Sequence, residues 1–257
     1  MTAIDFYGEG LAGFDRKKPL PGRLIVLEGT DGVGRSTQVA LLREWVESKG
    51  YAVQSTGLKR SALAGRGIKD AMRGHTLGNL TSNLFYATDM VDRLEKVIIP
   101  ALRAGFVVLT DRYIYSIIAR AMVRGMDPAW IRDVFGFALI PDAVFYLHAD
   151  LPQLVPRVLN ARGFDYWESG MDFLPYRDYY DAFVEYQTRL LAQFEAMVEE
   201  YSFHRIDAMQ SIREVFQDLK AELKIVLTDM KPVSPLEAKR ELAEVSAESK
   251  GANAAPK

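Results

Sequence analysis

Cysteine is absent from the 257-residue chain, which removes disulfides, thiolate metal sites and a cysteine nucleophile from consideration. A chain with no thiols to pair suits the cytoplasm. Charge of one sign is also missing: the formal net charge is −2, so no global basic field recruits a nucleic-acid polymer or an anionic membrane. Any phosphate recognition must come from a local site. No apolar run approaches the roughly 20 residues of a membrane span. The first residues contain acids and no continuous apolar stretch, so they do not read as a signal peptide. Histidine is scarce: His75, His148 and His204 show no metal-ligand spacing and read as ordinary fold residues. No internal repeat is visible. What is present is globular composition, with 49% hydrophobic and 26% charged residues, enough for one sizeable α/β domain.

Residues 1–21 are Gly-rich and irregular and read as an N-terminal arm without chemistry. Residues 22–228 alternate between strand and helix periods. Short apolar strands are expected at Leu24–Leu27, Tyr51–Thr56, Phe106–Leu109, Ala143–Leu147 and Phe203–Ile206. Between them lie helices from Ser36 to Ser48, from Leu151, up to Tyr201, and over Ser211–Val226. Leu80, Leu84, Ala87, Val91, Leu94, Ile98 and Leu102 recur at spacings of three and four, which predicts one long amphipathic helix. Repeated β-α units predict a parallel sheet wrapped by helices, with ligands at the carboxyl ends of its strands. Residues 229–257 are rich in Ala, Glu, Lys and Ser and read as a tail, partly helical or disordered.

The strongest local signal is Gly29-Thr30-Asp31-Gly32-Val33-Gly34-Arg35-Ser36-Thr37. It has the spacing of a phosphate-binding loop, with Arg35 at the lysine position, between an apolar strand and an amphipathic helix. Glycines let successive backbone N–H groups turn inward around phosphate oxygens, and the helix N-terminus adds partial positive charge. Ser36 is placed to offer its hydroxyl to Mg²⁺. Arginine keeps the lysine's charge but spreads it over a longer planar fork. The competing reading is a Gly-rich turn capped by Ser36. Asp111-Arg112-Tyr113 follows the third strand, where a doubly wound sheet sets its ligand edge. It reads either as a Mg²⁺-side acid with a phosphate-binding arginine or as a strand-end salt bridge.

Together LIVLEGTDGVGRST, the Arg60-Ser61 step, LFYATDMVDRLEKVIIPAL, VVLTDRYIYS, PDAVFYL and ARGFDYWE resemble the thymidylate kinase family over residues 22–222. The resemblance implies a P-loop NTPase fold with a five-stranded parallel sheet and a short lid. It also implies ATP, Mg²⁺, transfer of the γ-phosphoryl group to dTMP, and a homodimer. By resemblance Gly29, Gly32, Val33, Gly34, Arg35, Ser36 and Thr37 cradle ATP, with Ser36 and Asp111 toward the metal. Asp31 accepts from the deoxyribose, and Arg60 and Arg112 hold the acceptor phosphate. Tyr86 stacks on the base, and Arg162 opens the lid above the transferring group, with Arg35 neutralising charge from below.

Helical spacing places Tyr86, Asp89, Met90 and Arg93 on one stripe. Met90 stands where the family usually carries a nucleotide-contacting arginine, and Arg93 lies one turn further along. In the lid, Tyr166 and Trp167 stand where the family pattern has a second basic residue. These departures keep two other readings open: a kinase for another pyrimidine monophosphate, and a nucleotide-binding protein without catalysis.

Overall fold

In the computed structural model, residues 4–252 are described. Five strands form one wholly parallel sheet in the order β2-β3-β1-β4-β5. They are β1 (Arg23–Glu28), β2 (Val53–Gly57), β3 (Val107–Asp111), β4 (Ala143–His148) and β5 (His204–Asp207). Parallel strands need crossover helices, and those helices bury both faces of the sheet. Alternation along the strands therefore sorts side chains into two cores. Leu24, Val26, Val108 and Tyr146 face one side, with α5 (Ile114–Val123) and α8 (Tyr179–Glu200). Ile25, Leu27, Leu109, Phe145 and Leu147 face the other, with α1 (Arg35–Ser48), α7 (Leu151–Ala161) and α9 (Ile212–Val226). Because every strand runs the same way, Glu28, Gly57, Asp111, His148 and Asp207 all end on one edge. That edge is where the conspicuous sequence motifs gather.

The long helix expected over 80–102 is not one α-helix. It comprises α3 (Asn79–Arg93), a π-helical turn at Leu94–Ile98 and α4 (Ile99–Arg103). Pro100 lacks an N–H and its ring crowds the carbonyl of residue 96, so the widened turn is where the ladder adjusts. The turn also resets the helical phase. Leu94, Ile98 and Leu102 are buried as expected, but Leu80 and Leu84 are 52% and 47% exposed. Asn83, Asp89, Met90 and Arg93 take the inner face of α3 instead.

Three helices lie where the sequence reading placed none: α2 (Gly65–Arg73), α5 and α6 (Pro128–Val134). The first residues pack on the sheet domain, with Phe6 buried and bridged to Leu139. At the other end, the Val233 carbonyl accepts from Ala52 N–H, and α10 (Pro235–Ala252) buries Ala238 against the core.

Candidate phosphate-transfer site

The loop between β1 and α1 takes its shape from glycine. Gly29, Gly32 and Gly34 have φ of 142°, 81° and 96°, a region that side-chain-bearing residues rarely adopt. At Gly29 a Cβ would also sit 2.5 Å from the Leu147 carbonyl oxygen. The α1 N-terminus has no side-chain cap. Among the described residues, the backbone N–H groups of residues 32–37 donate to no acceptor. A helix start with a row of free N–H groups is an anion site.

Arg35 is 6% exposed and turns back into the loop. Its Nε donates to Asp111 Oδ1 at 2.9 Å, and Nη1 donates to the Gly29 carbonyl at 2.5 Å and to the Thr30 carbonyl. Ser36 Oγ donates to the other oxygen of Asp111 at 2.7 Å. Burial works against the Asp111 charge, but Arg35 and Arg112 prevail and hold its carboxyl below the usual range. Ser36 and Asp111 thus present two hard oxygens side by side at the loop, a donor pair that fits Mg²⁺ completed by water and phosphate oxygens.

Asp31 is the hub of the neighbouring site. It is buried, and accepts from Arg112 on one oxygen and from Arg120 Nη2 on the other at 2.6 Å. Burial again opposes its charge, and Arg112, Arg120 and Arg35 outweigh that cost, so its carboxyl is held well below the ordinary range. Arg112 has φ of 70°, a strained value for arginine. Its N–H is held by the Leu27 carbonyl at 3.0 Å, and its own carbonyl accepts from Thr110 Oγ1 at 2.7 Å. Just behind it, the fully buried Glu28 carboxylate accepts from Tyr113 N–H, Ser116 N–H and Ser116 Oγ at 2.8, 3.2 and 2.5 Å. Glu28 therefore fixes the strand-to-helix turn that presents Arg112.

A cavity opens between α3 and α5, with Arg120, the partner of Asp31, in its wall. It is lined by Asn83 and Tyr86 on one wall, Ile117, Arg120 and Arg124 on the other, and Trp167 above. The Tyr86 hydroxyl donates to Met72 Sδ at 3.5 Å. Residues 162–170, where a lid is expected, pack over the cavity, with Trp167 Nε1 donating to the Met72 carbonyl at 2.9 Å and Tyr166 stacking on His75 at 3.9 Å. Arg124 ties the residues that follow to α5 through a bidentate pair with Asp172 at 2.8 and 3.0 Å.

The structure brings together Asp31, Arg35, Ser36, Asp111 and Arg112 at one corner, with Tyr86 in the adjoining cavity. Other expected residues lie elsewhere. Met90 is fully buried and accepts from Arg93 Nη2 at 3.1 Å. Arg93 is itself buried, paired to Asp89 at 3.0 Å. Neither lines the cavity, because the inner face of α3 turns them toward β2. Arg60 is exposed and lines an outer groove with Lys59, Arg66, Lys69 and Arg73, the Lys59 ammonium reaching back to Met72 at the cavity wall. Arg162 is 55% exposed and paired to Glu168.

Sequence reasoning missed Lys59, Arg120 and Arg124. One signal was available: Ile114–Val123 is apolar almost throughout, and a cation inside an apolar helix needs a partner or a ligand.

The parallel strand order, the glycine loop with its free N–H groups and the cationic corner beside it define a P-loop phosphoryl-transfer fold. Comparison with known proteins narrows this. Residues 27–219 match the family described as Thymidylate kinase. The chain is 34% identical over 201 residues to "Probable thymidylate kinase 2" of Saccharolobus solfataricus, covering 77% of this chain and 94% of that one. It is 30% identical over 214 residues to "Probable thymidylate kinase" of Thermococcus kodakarensis, covering 79% and 98%. Similarity to the "Thymidylate kinase" of Clavibacter sepedonicus reaches 41% over 146 residues, or 54% and 68% of the two chains. The chain belongs to the thymidylate kinase family.

Proposed function

We propose that this protein phosphorylates dTMP to dTDP at the expense of ATP by direct in-line transfer. Membership of the family supports the reaction, and the cavity between Tyr86 and Arg120, whose Arg120 shares Asp31 with Arg112, is the observation that carries it to named residues. ATP phosphates lie on residues 29–37, where the free N–H groups and the α1 N-terminus replace their water. Ser36 and Asp111 would hold Mg²⁺, which would supply charge neutralisation for the transferring phosphates. Asp31 orders the acceptor, Arg112 takes its phosphate, and Tyr86 lies against its base. Arg60, at the rim, meets the phosphate as it enters. Arg35 and Arg162 offset charge on the moving group, and the docked lid excludes water, the competing acceptor. Residues 22–228 act as the catalytic unit, with an arm at each end.

The reading carries with it a cytoplasmic setting, in keeping with the absence of cysteine and with no helix among the described residues long and apolar enough to cross a membrane. It also includes a homodimer formed through α3, supported by the exposure of Leu80 and Leu84 at 52% and 47%.

The test is ADP release from ATP and Mg²⁺ with dTMP, dUMP, dCMP, dGMP and UMP offered in turn. Turnover fastest with dTMP is expected. A preference for another monophosphate would move the substrate, and no release with any of them would end the kinase reading.

A further inference from the structure

Charges around Asp31 do not balance. Arg35 is matched by Asp111 and Arg162 by Glu168. Around the corner as a whole, Arg35, Arg112, Arg120, Arg162 and Lys59 meet Asp31, Asp111 and Glu168, five cations against three carboxylates. A phosphate monoester at neutral pH carries about −1.5 to −2, which is the charge this corner lacks.

The donors are also left over. Arg112 Nε is buried with no acceptor. The Arg120 side chain spends one nitrogen on Asp31 and, among the described residues, has no other partner. Lys59 is the most unusual of the three. Among the described residues its ammonium hydrogen-bonds only to a thioether, Met72 Sδ at 3.7 Å, the same sulfur that receives the Tyr86 hydroxyl. Burial disfavours the Lys59 charge, and Arg120 and Arg112 disfavour it further, more than Asp31 and Glu168 restore. The backbone of Lys59 is held at φ of 61°, outside the usual range for a side-chain-bearing residue. The buried Asp89 fixes that turn, accepting from Lys59 N–H at 3.0 Å and Ser61 N–H at 2.9 Å. A strained turn therefore presents a cation that, among the described residues, has no carboxylate in hydrogen-bond contact.

We propose that Lys59 and Arg120 are two further ligands of the acceptor's phosphate group, joining Arg112. The phosphate is then held by cations from three separate elements: the β2–α2 turn, the β3–α5 turn and α5 itself. This assignment rests on the reading of the cavity as the monophosphate site.

Binding of dTMP and of thymidine, measured by calorimetry without ATP, tests it apart from turnover. The proteins compared are the wild type, Lys59→Gln, Arg120→Gln and the double variant. Each single change should weaken dTMP by about tenfold or more, with thymidine affinity unchanged. Lys59→Gln should also melt no lower than the wild type, because it removes a half-buried cation that has no carboxylate partner. Unchanged dTMP affinity in Lys59→Gln and Arg120→Gln would overturn the assignment. So would an equal loss for dTMP and thymidine, or a lower melting temperature in Lys59→Gln accompanied by that equal loss. Selective loss of dTMP in a protein that releases no ADP with any monophosphate would keep the phosphate ligands and sink the kinase reading instead.

Discussion

The two halves of the site treat their charged groups in opposite ways. In the loop proposed for the donor, the polar side chains are already engaged with one another: Arg35 with Asp111 and two loop carbonyls, and Ser36 with Asp111. In the acceptor corner the cations outnumber the acids, and Arg112 keeps a buried nitrogen without a partner. On the proposed reading, ATP and Mg²⁺ exchange these internal bonds for their own, so part of their binding energy is offset. A monophosphate meets donors already in place, where preorganisation favours both affinity and the transition state. Nucleotide selectivity should accordingly be set on the acceptor side.

The largest expected effect is on that side. Arg112→Ala should lower kcat/KM for dTMP by about a thousandfold, with ATP affinity nearly unchanged in an equilibrium titration. Turnover equal to the wild type would remove Arg112 from the acceptor site and break the contrast between the halves.

Next in size is Asp31→Asn, which leaves Arg112 and Arg120 without their shared counter-ion. Removing one partner of a buried pair costs about 3 kcal/mol, to be read from denaturant unfolding. The pH profile sharpens the comparison. Asp31 and Asp111 are held below their ordinary value of 3.8. Their stabilisation is therefore fully present above that pH and is lost as pH falls through the depressed values. Asp31→Asn should shrink this acid limb, and an identical limb in the variant would show that the Asp31 pairs do not stabilise the fold.

Glu28 runs the other way and should count for less. Burial raises its carboxyl above the ordinary 4.5. The stability tied to its bound proton is present below 4.5 and is lost as pH rises through the raised value. Glu28→Gln should remove that decline. It also turns an amide NH₂ toward donors at Tyr113 and Ser116, costing about 2 kcal/mol. Loss of dTMP affinity beyond that of stability would mark Glu28 as a positioning residue for Arg112.

Sheet, loop and strand-end pair were legible because each is written in local spacing: apolar runs at strand length, glycines at fixed intervals, Asp-Arg directly after β3. The acceptor corner was not. Arg120 and Asp31 lie 89 residues apart, and Ile114–Val123 is too uniformly apolar to show a period, so nothing local announced the guanidinium inside it. The stripe of Tyr86, Met90 and Arg93 misled for a related reason. Spacing gives the shared face of a helix but not its direction, and α3 turns Met90 and Arg93 into the protein while Tyr86 reaches the cavity.

The smallest expected effect falls on the donor loop. Arg35 can bridge Asp111 and the Gly29 and Thr30 carbonyls at once because its guanidinium donates in several directions from one plane. A lysine has three donors on a single nitrogen and cannot span both ends of that bridge. In Arg35→Lys the loop should lose one of its internal bonds, leaving a compact charge free to meet phosphate. Because only a bond or so changes hands, the gain should be modest: ATP KM lower or kcat higher by about fivefold, with a small drop in melting temperature. A fall in kcat of more than about tenfold would mean that the fork itself acts on the transferring group. The engagement of Arg35 with the loop would then be part of the working site, and the contrast with the acceptor corner would narrow.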